Sequence, residues 1–174
     1  MMTNSMKSTA MPGFWIAILG VLLSTGALAA TVNVVPSNAH PKVGETFSVT
    51  LNCVDFPETY GTTLRVTFNP AVVSVSAVEL TPGSPFTGAL AFTLPIHPGD
   101  AISVLGPDTG ALPTGSFGAF RISFTALAPG DPAITLVDDH RNITWSDPTG
   151  QPIQADYRQA HVKVKAAAGR PRHH

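Results

Sequence analysis

Cysteine is nearly absent: Cys53 stands alone in 174 residues, so no intramolecular disulfide can form. Aromatic residues make up only 7% and charged ones 12%. The composition therefore offers neither a dense charged surface nor a broad aromatic strip. No sustained helical period of apolar residues is found after position 30, which argues against a helical bundle. The chain also lacks a G-x-S-x-G elbow, a phosphate-binding loop, a dinucleotide fingerprint and an H-x-x-x-H or Cys/His metal spacing. No catalytic, cofactor or metal site is expected, and the chain reads as a non-enzyme. Basic residues are scarce as well. From Thr31 to Ala160 eleven acidic side chains face five basic ones, a balance of −6. A nucleic-acid partner is excluded on that ground, because phosphate binding needs a basic face.

The one apolar run is short and lies at the start. Lys7 is the only charge before it, Phe14 to Leu23 is apolar, and Ala27-Leu28-Ala29-Ala30 closes it with small residues. That is the layout of a secretory leader with an A-x-A cleavage site. Gly20, Ser24, Thr25 and Gly26 interrupt it before the roughly 20 apolar residues of a membrane span. We expect residues 1–30 to be a signal peptide, with no membrane anchor left after cleavage and a secreted product. Residues 31–165 form one domain, and 166–174 a basic tail carrying Arg170 and Arg172.

Within the domain the period is two. Phe47, Val49, Leu51 and Cys53 share one face against Ser48, Thr50 and Asn52. Leu64, Val66 and Phe68 oppose Thr63, Arg65 and Thr67, and Asn69-Pro70 stops that strand. Val73 to Leu80 follows with a phase slip near Ala77-Val78, as a bulge produces. Further strands are expected at Ala89–Ile96, Ala101–Leu105, Phe117–Leu127, Ala133–Val137, Ile143–Ser146 and His161–Lys165. Sixteen prolines and fifteen glycines punctuate them. Eight or nine short strands with regular turns predict an all-β, antiparallel sandwich. Cys53 falls in phase with core positions and reads as a buried small hydrophobe.

Three blocks then resemble cohesin-like domains. They are Val32-x-Val34-x-Pro36 with Val43-Gly44-Glu45-x-Phe47, Gly61-x-x-Leu64 through Phe68-Asn69-Pro70-x-Val72-Val73, and Gly115-x-Phe117-x-x-Phe120-x-Ile122-x-Phe124. Pro129-Gly130 and Asp147-Pro148-Thr149-Gly150 continue the likeness, which spans Thr31 to Lys165. The resemblance implies a nine-stranded jelly-roll β-sandwich grouped with cellulose-binding modules. It also implies an extracellular partner, a dockerin-type protein or a polysaccharide, and no cofactor. By the same resemblance one flat sheet face, built from the third, fifth, sixth and eighth strands, is the docking surface. Its outward positions are Arg65, Thr67, Ser103, Arg121 and Ser123, and an arginine there would act as a planar multi-donor anchor.

The aromatic candidates for stacking on a glycan are Tyr60, Trp145 and Tyr157. Trp145 shares a face with Ile143, which favours burial as much as display. Asp138-Asp139-His140 is the densest polar cluster and reads as a polar loop. Asn142-Ile143-Thr144 matches a glycosylation pattern that only a competent host would use. An alternative role is a subunit of an extracellular fibre or matrix, self-assembling through the extended segments Thr31–Val35 and His161–Ala168 by strand addition.

Overall fold

Residues 29–87, 90–92, 94–106, 110–138 and 145–167 are described by the computed structural model of the chain. The described residues hold ten strands and no helix. In chain order they are β1 (Ala30–Pro36), β2 (Thr46–Phe56), β3 (Gly61–Thr67), β4 (Val73–Leu80), β5 (Leu90–Ala91), β6 (Ala101–Leu105), β7 (Gly115–Ala126), β8 (Thr135–Asp138), β9 (Trp145–Ser146) and β10 (Ala155–Arg158). They form two sheets, β10-β1-β2-β7-β4 and β5-β6-β3-β8, with β9 also paired to β3.

The core lies between the sheets and is supplied by the period-two residues. Phe47, Val49, Leu51 and Cys53 of β2, Leu64 and Val66 of β3, and Ile122 and Phe124 of β7 are buried. Phe124 stacks on Phe47 at 5.6 Å between ring centroids and meets Phe68 edge-on at 5.8 Å, which ties the sheets together. The strand stop after β3 works through Asn69. Its carbonyl accepts Val72 N and Val73 N, and its side-chain oxygen accepts Ala71 N at 3.0 Å. The phase slip in β4 is a register shift against β7 between Val75 and Ala77, so Ser76 is the extra residue.

Several expected strands differ. Of the expected strand Ala89–Ile96, the described residues form only the two-residue β5, with Ala89 and Thr93 outside them. His161–Lys165 is not a ladder strand. It is held by isolated bridges, Lys165 to Lys42 and Val164 to Gly130. The strand that ends the β1-containing sheet is β10, and it runs parallel to β1, pairing Val32 with Tyr157. Every other strand pairing is antiparallel. The pairing occupies part of the two segments named for strand addition. β1 is bonded on both sides, to β10 and to β2, and Lys163 and Lys165 donate to Ala39 and Pro41 carbonyls. Residues 31–33 are therefore paired on both sides, and 34–35 on the β2 side.

β1 begins at Ala30, whose side chain is already buried opposite Ala155, one residue before the expected domain start. Residues 1–28 of the expected leader, Asp139-His140, the Asn142 motif and the two tail arginines lie outside the described residues. Among the described residues no helix is long and apolar enough to cross a membrane.

Candidate functional site

The outer face of β5-β6-β3-β8 is built by alternation. Leu64 and Val66 point into the core, so Thr63, Arg65 and Thr67 point out. On β6 the buried pair Ile102 and Val104 turns Ser103 outward in the same way. Register places Ser103 beside Thr63, and their hydroxyls meet at 2.9 Å. Thr67 donates to Thr135 O on β8 at 3.3 Å.

Arg65 sits mid-strand, between Ala101 of β6 and Val137 of β8. Its Nη1 donates to Gly99 O at 2.6 Å. The turn that supplies this carbonyl is itself tied down. Gly99 has φ 96°, in the left-handed region that glycine accepts without a Cβ clash. His97 N donates to Asp100 Oδ2 at 2.7 Å, Gly99 N to Val66 O at 2.7 Å, and Asp100 O accepts Val66 N at 3.0 Å. A half-buried guanidinium is thus held in place beside the Thr63, Ser103 and Thr67 hydroxyls. Leu105 and Tyr60, 42% and 44% exposed, lie toward the opposite end of that strand pair.

Arg121 and Ser123 do not join this face. They lie on β7, in the other sheet, because β7 pairs with β2 and β4. Period-two alternation separates inward from outward but does not say which sheet a strand enters. Arg121 is also engaged: Nε and Nη2 both donate to Glu79 Oε2, at 3.0 and 2.6 Å. Ser123 lies opposite Ser48, and its carbonyl accepts the Ser76 hydroxyl at 3.1 Å. The five outward residues therefore divide into Arg65, Thr67 and Ser103 on one sheet and Arg121 and Ser123 on the other.

The aromatic trio is dispersed too. Trp145 is 1% exposed, packs edge-on against Phe56 at 4.7 Å, and donates Nε1–H to Tyr157 Oη at 2.7 Å. Burial against Phe56 with a satisfied N–H removes it from any stacking role. Tyr157 is half-buried on β10, facing the core beside Val32. Tyr60 alone of the three is displayed.

Cys53 is 1% exposed, and burial pushes its thiol far above the ordinary range. Among the described residues no group of three or more His, Cys, Asp or Glu is placed to hold a metal ion. Sequence reasoning missed two features at the other end of β8. One is Gln159, whose amide pairs with the backbone of Leu136. The other is a groove beside it lined by His40, Asp131, His161 and Lys163. The alternation His161, Lys163, Lys165 was the available signal, and it reads equally well as a terminal strand.

No model of a known protein family matches the chain, and no curated protein matches it in sequence. Solved structures do match in fold. CaCohA2 of Clostridium acetobutylicum, in complex with CaDoc0917, superposes with a TM-score of 0.64 at 11% identity, over 80% of this chain and 100% of that one. A cohesin from a type I cohesin–dockerin complex of Clostridium thermocellum gives 0.59 at 14% identity, covering 80% and 94%. A non-cellulosomal cohesin of the hyperthermophilic archaeon Archaeoglobus fulgidus gives 0.54 at 13% identity, covering 80% and 90%. The fold is that of a cohesin-like jelly-roll β-sandwich.

Proposed function

We propose that this chain is a secreted, non-catalytic binding module that takes a protein partner on the outer face of β5-β6-β3-β8, around Arg65. The observation that supports this most is the guanidinium held by Gly99 O in mid-sheet, beside the Thr63–Ser103 hydroxyl pair. A positioned arginine loses little freedom on binding and offers a planar, charge-assisted donor set to a carboxylate or to backbone carbonyls. The Thr63–Ser103 hydroxyl pair and Thr67 flank it with groups that both donate and accept. Tyr60 and Leu105 add apolar area toward one end, giving the mixture of anchor and apolar contact that protein interfaces use.

The cohesins of similar fold occur in complexes with dockerins, which makes dockerin-type modules the first partners to test. Export through the leader, with the mature chain starting near Ala30, belongs to the same reading. A panel of immobilised dockerin modules, titrated with the mature domain, tests it. Binding by the wild type, a loss of about tenfold or more in Arg65→Glu and little change in Arg121→Glu are expected. Equal affinities for wild type and Arg65→Glu would remove this face from the account.

A further inference from the structure

We propose a second binding site, for a carboxylated polysaccharide, along the seam between residues 39–43 and 161–165 and in the groove beside it. The seam gathers Lys42, Lys163 and Lys165, the three lysines that follow residue 30, in an acidic domain. His161, Lys163 and Lys165 are exposed while Val162 and Val164 between them are buried, so the imidazole and the two ammonium groups form a row roughly 6–7 Å apart. Backbone bonds fix that row. Lys163 N donates to Ala39 O at 2.9 Å, Lys165 N to Pro41 O at 2.8 Å, and Lys165 O accepts Val43 N at 3.0 Å. The same bonds bring His40 and Lys42 alongside.

Lys42 and Lys165 are β-bridge partners, two like charges set opposite each other. Such a pair is unfavourable by itself; among the described residues neither ammonium forms an ion pair, and the Glu45 carboxylate beside them accepts the Lys42 backbone N–H at 2.9 Å. An anion lying across the bridge would turn that repulsion into attraction. At the end of the row lies a groove of about 290 Å³ lined by His40, Asp131, Thr135, Gln159, His161 and Lys163. Its floor carries a strained residue: Ala133 has φ 48°, held by its N–H donating to Asp131 Oδ1 at 2.8 Å. Strain of this kind is kept where the surrounding structure uses it.

The chemistry of the groove favours a sugar acid over a dense phosphate. Asp131 would repel phosphates packed one per unit, yet it is a ready acceptor for sugar hydroxyls, as is Thr135 Oγ1. A uronate polymer supplies both classes of group, a carboxylate for the lysine row and hydroxyls for the groove. The groove meets the Arg65 face at Thr135, which Thr67 bonds, while the lysine row lies on the seam, and the site does not depend on a protein partner at Arg65.

The test is binding of the full chain, as exported, to polygalacturonate by isothermal titration at low and moderate salt. Expected are binding that weakens as salt rises and a loss of at least about tenfold in Lys163→Glu/Lys165→Glu. Lys163→Gln/Lys165→Gln is expected to fall between them, with Arg121→Ala as the wild type. Both lysines are exposed, and unchanged near-ultraviolet circular dichroism certifies the fold. No binding at low salt, or equal affinity in the charge-reversed variant, would overturn the proposal. Tighter binding to phosphatidylglycerol vesicles than to polygalacturonate would also overturn it, assigning the row to a membrane surface.

Discussion

Substituting Gln159 by alanine removes the fastening at one open side of the sandwich. Leu136 is fully buried on the edge strand β8, and its N–H and C=O point away from β3. The Gln159 amide satisfies both, accepting from Leu136 N at 3.0 Å and donating to Leu136 O at 2.6 Å. It does for β8 what a further strand would do. A buried backbone group left unpaired costs about 1–3 kcal/mol. The adjoining groove admits water to this site, so the two losses combine to about 2 kcal/mol rather than the upper limit. For a domain of this size that is a fall in Tm of about 6–8 °C. Urea unfolding of the mature domain gives the free energy, and hydrogen exchange at the Leu136 amide localises it. Gln159→Glu sharpens the test. Its carboxylate still accepts from Leu136 N but faces the carbonyl oxygen, so its folded pKa is raised. Protonation restores the donor, so the stability is present below about pH 4 and is lost as pH rises through the folded value. A change below about 0.5 kcal/mol in Gln159→Ala would refute the reasoning, since surface substitutions alone reach that size.

Other consequences are independent of Gln159. Thr62 is 3% exposed and its hydroxyl has no hydrogen-bond partner, so Thr62→Val is expected to raise the urea midpoint, stabilising by about 1 kcal/mol at an unchanged m-value. The Asp147 carboxylate accepts the Thr149 hydroxyl and the Gln151 and Thr149 amides, which lowers its pKa. The turn's support is therefore complete above the unfolded carboxylate pKa and lost as pH falls through the lower folded one, to be followed by carbon-13 titration of the carboxyl. Cys53, buried with its thiol pushed up, is expected to resist Ellman's reagent until the domain unfolds; rapid labelling of the folded domain would contradict the packing.

The long strands were legible because most of their length obeys one rule. Phe47 through Cys53, and Leu64 with Val66, alternate strictly, and every inward residue is buried. β10 was not legible. Ala-Asp-Tyr-Arg offers a single aromatic and no β-branched residue, and its place is set by a parallel pairing to β1 across the whole chain. Tertiary pairing decided there, not local propensity. At the candidate face, alternation identified Arg65, Thr67 and Ser103 as outward, and the structure puts them on one sheet. Arg121 and Ser123 are outward too, but strand order sends them to the opposite side of the molecule. Trp145 was ambiguous because its inward neighbours, Phe56 and Tyr157, are distant in sequence. Gln159 escaped notice because a side chain standing in for a strand leaves no periodic trace.

The central claim is that a protein partner docks on the β5-β6-β3-β8 face. Amide chemical-shift mapping of the labelled mature domain, during titration with a dockerin that it binds, tests this directly. The account predicts shifts concentrated at Thr63, Arg65, Thr67, Gly99 and Ser103, with Asn33, Ser48 and Ser123 on the other sheet unmoved. Shifts concentrated on β1, β2 and β7 instead would contradict it.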